Sequence, residues 1–338
     1  MIPFLTDIIQ YGSVSVVGMA KNVGKTVCLR SILDYYKNQG EAIAVTSIGV
    51  DGEKTDVLYE NSKPELTFYP GMLVQTSEFH YRQRKSTTEI IDVSREKTAM
   101  GRLISARVVL EGKMILSGYS YSAGLQRFIK EAHTAGSTTV LIDGALSRMS
   151  LASPVVAQAM ILCTGAALSK NLVQLVKQTQ YQYELINLPL YPLKNAVDFS
   201  SMQPGIWGIS PEGEVHNFHI RSALQGKEAK EEIEKEVRKR KLTIYLSGLL
   251  NDSFLQLLLS FKEKPNIVVS DFTKIFVQPP LFYSFLKAGG RIFVVNRTQL
   301  LAVCANPISV DGYKMNSVQL CQTLSQALGR EVYDIKKA

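Results

Sequence analysis

Several things are scarce in this chain, and each scarcity excludes something. Only four cysteines occur among 338 residues, at positions 28, 163, 304 and 321. None is paired as CxxC, and each sits in an apolar or helical setting, which predicts buried reduced thiols rather than a metal knot or a disulfide framework. Four histidines are present. His216 and His219 share one segment, but no third ligand is placed near them by spacing. No apolar run reaches the roughly 18 residues that a membrane-spanning helix needs, and the first residues lack a basic stretch ahead of an apolar one. A cytoplasmic protein without membrane contact is therefore expected. The net charge of +8 arises from 38 basic and 30 acidic residues. They are spread along the chain with no block of Lys and Arg interleaved with aromatics, which disfavours nucleic acid and leaves a polyphosphate or an acidic protein partner open.

What the chain does have is a strong opening motif. Val14-Ser15-Val16-Val17 is a short apolar strand, followed by Gly18-Met19-Ala20-Lys21-Asn22-Val23-Gly24-Lys25-Thr26 and then a helical pattern. Strand, glycine turn and helix in that order form a concavity of backbone N–H groups, backed by the positive end of the helix, that suits two or three phosphates. In the usual phosphate-loop assignment Lys25 reaches the β- and γ-phosphates and the Thr26 hydroxyl ligates Mg²⁺, with Lys21, Asn22, Val23, Gly24 and Val27 completing the nucleotide contacts. The pattern departs from the standard one at Met19, where a glycine is usual, and Gly18 stands one residue earlier. A plain glycine turn is the alternative reading.

The helix predicted over residues 26–39 carries Leu29, Ile32, Leu33 and Tyr36 at i, i+3, i+4, i+7 spacing and stops at Gly40. Residues 42–50 then read as a buried parallel strand that ends at Asp51. Ligands of such sheets lie beyond the carboxyl ends of the strands, so Asp51 is a candidate to complete a metal shell or to orient an attacking water. As an Asp-Gly turn residue it would do neither. Residues 61–112 are more polar and read as an insertion with one or two edge strands such as 89–93, or as a solvated loop. A strand at 113–118 and a helix over 121–135 follow. Residues 138–146 form an apolar strand in which Val140-Leu141-Ile142 precedes Asp143, the pattern of a second carboxylate for Mg²⁺, with a strand-end turn as the alternative. A further strand, 159–165, runs into the small residues Thr164-Gly165-Ala166-Ala167, where a base or substrate would fit. A helix over 171–185 closes this part.

The reading that follows is of an α/β protein of the P-loop NTPase type, with a mostly parallel sheet and helices on both faces, plus a second smaller α/β domain. The predicted divisions are 1–188, a linker with short strands and a charged helix over 189–241, and 242–338. In the last part strands are expected at 242–248, 266–271, 290–296 and 300–305, and helices at 252–261, 280–288 and 317–328.

The phosphate-loop motif, taken with Asp143-Gly144-Ala145-Leu146 and residues 159–167, resembles a bacterial family of reactivase subunits for lysine 5,6-aminomutase, an adenosylcobalamin- and PLP-dependent enzyme of lysine fermentation. The likeness extends over most of the chain and is most specific in the first 170 residues or so. Lys21-Asn22-Val23-Gly24-Lys25-Thr26 is more distantly similar to the loops of the molybdopterin-guanine dinucleotide biosynthesis adaptor protein and of dethiobiotin synthetase. That branch often carries a signature lysine where this chain has Ala20, with Lys21 next to it. The resemblance implies ATP (or GTP) and Mg²⁺ as cofactors, with hydrolysis driving reactivation of a partner aminomutase together with a second reactivase subunit. It leaves a homodimer open. Adenine is favoured over guanine because Asn296-Arg297-Thr298-Gln299 lacks the acid of an NKxD signature. The alternatives are a small-molecule ligase or kinase of the dethiobiotin synthetase type, with polar groups converging near Ser117, Thr164 and Asp51, and a nucleotide-gated binding module with negligible turnover.

Overall fold

A computed structural model describes residues 3–48, 65–145, 153–154, 156–225 and 230–335. The chain divides into two compact units, Met1–Gln180 with Thr298–Ala338, and Tyr181–Arg297. The first unit opens with β1 (Ser13–Gly18), α1 (Lys25–Gln39), β2 (Ala44–Ser47), β3 (Leu66–Phe68) and β4 (Leu73–Ser77). It continues with α2 (Glu78–Arg82), β5 (Thr87–Thr98), β6 (Gly101–Leu110), β7 (Gly112–Met114), α3 (Ser122–Thr134), β8 (Val140–Ala145) and β9 (Ala159–Gly165). The helix α4 (Leu172–Ile186) spans the division.

The second unit contains β10 (Ile206–Ile209), β11 (Val215–Ile220), α5 (Lys230–Arg240), β12 (Thr243–Leu246), β13 (Leu250–Asn251) and α6 (Asp252–Leu259). Its remaining elements are β14 (Ile267–Val269), β15 (Ile275–Phe276), α7 (Pro279–Lys287) and β16 (Ile292–Val294). The chain then returns to the first unit as β17 (Gln299–Asn306), α8 (Ser317–Leu328) and β18 (Val332–Asp334).

The first unit is organised on a nine-stranded sheet in the order β18-β17-β9-β1-β8-β2-β4-β6-β5. Every pairing from β18 to β4 is parallel, and β4, β6 and β5 continue it antiparallel. The strand β1 lies near the middle, all six of its residues buried, as expected of a short apolar run covered on both faces. Alternation along the strands separates two cores. Val14, Val16, Val45, Leu141 and Ile161 meet the buried stripe Cys28, Leu29, Ile32, Leu33 and Tyr36 of α1. Ala44, Leu73, Val140 and Ile142 meet Leu125, Phe128 and Ala132 of α3. Helices therefore cover both faces, and the unit is a mixed α/β structure with a mostly parallel sheet.

The structure corrects the sequence reading at several points. The polar stretch 61–112 supplies three strands of the main sheet, β4, β5 and β6, rather than one or two edge strands. Of the strand expected over 113–118 only residues 113 and 114 are strand, and with Gly112 they pair with β3 in a separate ribbon. Residues 298–338 belong to the first unit, because β17 pairs in parallel with β9 from Gln299 to Asn306. Residues 189–241 are not a linker: β10 and β11 join the sheet β11-β10-β12-β14-β16 of the second unit. That sheet runs parallel through β12, β14 and β16 and antiparallel through β10 and β11. No helix among the described residues is long and apolar enough to cross a membrane.

Candidate functional site

The turn after β1 is built by three local constraints. The Met19 N–H still donates to Cys163 O at 2.9 Å, so the chain leaves the sheet only after that residue. Asn22 and Gly24 then take left-handed conformations, φ 63° and 98°, on either side of buried Val23. Alternating handedness of this kind gathers successive N–H groups into a concavity. Gly24 is the N-cap of α1, and the first helical bond, Cys28 N–H to Gly24 O, is 2.9 Å long. A β-carbon on Gly24 would lie 3.0 Å from Cβ of Asn306 as well as requiring an unfavourable φ, so glycine is needed there twice over.

Lys25, the first residue of α1, doubles back over the turn. A β-carbon at Gly18 would lie 2.7 Å from both Cγ and Cδ of Lys25 and 2.8 Å from Cγ2 of Val23, so the bare glycine is the bed of the lysine stem. Nζ of Lys25 donates to Ala20 O at 3.4 Å. The sequence placed the irregular Met19 where glycine is usual; the structure gives the steric role to Gly18.

Asp143 sits within β8 rather than after it, in register with Val16 of β1 and Ser47 of β2. Leu141, two residues earlier, faces α1, so period-2 alternation puts the Asp143 side chain on the α1 face too. It is half-buried, with Oδ1 fully so. Electrostatics brings Lys25 and Asp143 to the same neighbourhood. The Cys163 thiol, held well above its usual range by its hydrogen bond with Cys28 and by burial, is pulled down by Lys25 and pushed up by Asp143. Thr26, on the first turn of α1, is half-buried at the same end of the sheet. Asp51 lies outside the described residues.

Residues that the sequence did not single out complete the surroundings. Asn306, the last residue of β17, donates from Nδ2 to Asn22 O at 3.3 Å and accepts the Ile308 N–H at 3.2 Å. Its carbonyl accepts the Ala166 N–H at 2.9 Å, and Gly165 comes so close that a β-carbon would fall 2.2 Å from that oxygen. One asparagine thus ties together the turn, the end of β9 and the 307–313 loop. The signal was present as Asn306-Pro307 at a strand end, but it was read in the wrong domain. A cavity of about 580 Å³ lies beside the turn, bounded by Ala20, Lys21 and Asn22, by residues 166–170 and by Ser309, Val310 and Asp311. Thr164, a candidate for substrate contact, is fully buried and bonded to Thr179 at 2.9 Å, so it does not line this space. Ser117 is elsewhere, with Oγ 2.6 Å from Nδ1 of His80, which is also 3.2 Å from Ser77 Oγ. Gly118 next to it packs on the Ser47 carbonyl at the end of β2.

Chemically, the arrangement offers a primary amine folded over a turn with left-handed residues, a hydroxyl on the following helical turn, and a carboxylate on the adjacent strand facing the same helix. Comparison with family models, with curated proteins and with solved structures finds no match to this chain.

Proposed function

We propose that the first unit is a P-loop NTPase domain that binds a purine nucleoside triphosphate with Mg²⁺ and hydrolyses it to act on a partner protein. The observation that carries this reading is the Lys25 stem lying across Gly18, with Nζ at the Ala20 carbonyl. An ammonium held on a backbone carbonyl at the mouth of a turn is poised to exchange that weak neutral acceptor for phosphate oxygens, and charge-assisted bonds are about twice as strong. The backbone of residues 21–26 receives the α- and β-phosphates. Lys25 neutralises charge that develops on the transferred group.

The donor set suits the metal: a Thr26 hydroxyl, the Asp143 carboxylate with one oxygen buried, and phosphate oxygens are the hard ligands that Mg²⁺ prefers. Held by Thr26 and Asp143, Mg²⁺ would offset the negative charge of the phosphates. Asp143 fixes one side of that shell, and Asp51 is assigned to the metal shell or to the attacking water. The partner is carried by the sequence resemblance: an adenosylcobalamin-dependent aminomutase, met together with a second reactivase subunit, from which hydrolysis would release damaged cofactor.

The test is phosphate release by the full chain, alone and with the aminomutase, in the native protein and in Lys25→Ala. Stimulation by the mutase that vanishes in Lys25→Ala, with an unchanged circular dichroism spectrum, supports the reading. Unchanged nucleotide affinity in Lys25→Ala overturns it.

One observation favours a second reading, a ligase or kinase acting on a small acid. Thr46 Oγ1 and Gln75 Oε1 meet at 3.1 Å, Gln75 reaches Ser105 at 3.4 Å, and Ser117, His80 and Ser77 meet beside the same strand ends. So many polar groups inside a sheet cost desolvation that apolar side chains would avoid. Turnover stimulated by a carboxylic acid and not by protein would favour this reading.

A further inference from the structure

The cavity beside the turn has the size of a small-molecule site, about 580 Å³ against a usual range of roughly 300–1,000 Å³. Its walls are of two kinds. Ala166, Ala167, Leu168 and Val310 offer an apolar surface suited to a flat ring, and Ala20 to Asn22 join it to the phosphate-binding turn. Asp311 is the one carboxylate among the lining residues.

That carboxylate is held in place from two sides. Lys170 from the loop after β9 forms an ion pair with it, and Ser309 Oγ donates to its other oxygen. Tyr313 steadies the lysine in turn, donating from its hydroxyl to Lys170 O at 3.5 Å with its ring 5.7 Å from Nζ. Lys170 first and Ser309 second hold the Asp311 carboxyl down at about 2, so it is an acceptor with no proton to give at neutral pH. A carboxylate has about four lone-pair sites, and Lys170, Ser309 and the Tyr313 backbone take three, so a base edge that engages both oxygens shares or replaces the contact of the exposed Lys170.

The pairing edges of the two purines differ at this point. Guanine presents two adjacent donors, N1–H and the 2-amino group, which match the two oxygens of a carboxylate. Adenine presents one donor, the 6-amino group, beside the N1 lone pair, which a carboxylate repels. A carboxylate at that edge therefore favours guanine through its two donors and disfavours adenine through repulsion of the N1 lone pair.

We infer that this cavity takes the nucleobase of the triphosphate and that Asp311 makes it a guanine site. The inference rests on the phosphate-binding reading above and reverses the preference for adenine drawn from the missing NKxD signature. Lys170 and Ser309 are positioning residues that aim the carboxylate.

The experiment is direct titration calorimetry of the full chain, in excess Mg²⁺, with GTP, ATP, XTP and inorganic tripolyphosphate. In the native protein GTP should bind on the order of 10-fold to 100-fold more tightly than ATP, the discrimination that one bidentate contact gives. Asp311→Asn should bring GTP and ATP close to parity and raise affinity for XTP, whose 2-oxo group accepts from the new amide. Tripolyphosphate affinity should not change, and Asp311 is more than half exposed, so the fold should persist. ATP binding as tightly as GTP in the native protein, or a GTP to ATP ratio untouched by Asp311→Asn, overturns the guanine assignment while leaving the phosphate site standing. Tripolyphosphate and all three nucleotides failing to bind overturns both.

Discussion

Replacing Gly18 by alanine tests the geometry on which the phosphate site depends, and it does so without any ligand. The new methyl group would sit 2.7 Å from two carbons of Lys25 and 2.8 Å from one of Val23, a residue that is 1% exposed and cannot easily move. Overpacking of this kind costs about 1–3 kcal/mol. Because the backbone here is an ordinary strand, alanine also gains roughly 0.4–1 kcal/mol by restricting the unfolded chain. The net expectation is a loss of roughly 0.5–2 kcal/mol. Removing the lysine stem relieves two of the three contacts, so the same change made in a Lys25→Ala background should cost less by at least ~0.5 kcal/mol, a coupling that a double-mutant cycle resolves. Urea denaturation of the four proteins measures it. Nucleotide affinity of Gly18→Ala should also fall by roughly 10-fold or more, since a displaced ammonium forfeits a charged hydrogen bond of about 1.5–3 kcal/mol. An identical cost of Gly18→Ala in both backgrounds would mean that Lys25 does not lie over the glycine, and the account of the site would fail with it.

Asp143→Asn should raise the Mg²⁺ concentration needed for half-maximal turnover more than Asp51→Asn does, and equal insensitivity of both would refute the metal assignment. Asn306→Ala removes the bonds to Asn22 O and Ile308 N–H and should weaken triphosphate binding roughly 3-fold to 10-fold with the sheet intact, in proportion to one or two ordinary hydrogen bonds; an affinity equal to the native protein's would show that the turn needs no anchor. The Lys170 to Asp311 pair has a defined pH signature, because Asp311 is lowered to about 2 in the folded chain. Its contribution to stability is full above the unfolded value near 4 and disappears as pH falls through about 2. The urea midpoints of native protein and Lys170→Ala should therefore differ at neutral pH and converge on acidification, and a gap that widens toward pH 2 would contradict the pairing.

Residues whose roles are set by near neighbours in sequence were legible. The strand into Gly18, the helix stop at Gly40 and the apolar stripe of α1 follow from period and turn chemistry, and the structure has them all. The terminal helix over 317–328 was also read with its observed limits. Non-local pairing was not legible. Residues 101–110 mix polar and apolar positions without a clean period and sit in a polar stretch, yet β6 is an inner strand because β5 folds against it and β4 takes its other edge. The return of residues 299–306 to the first sheet was missed for the same reason: a buried apolar strand fits next to any parallel neighbour. With it were missed Asn306 and Asp311, whose meaning depends on which sheet they end.

That return has a practical corollary for anyone dissecting the molecule. A fragment ending at residue 188 would leave β9 as a bare, hydrogen-bond-hungry border and would delete the asparagine that pins the turn, so it should precipitate. Excision of the second unit leaves the main sheet whole, but the polypeptide passes between the units within α4, so the cut has to keep that helix through Ile186 and resume at Thr298.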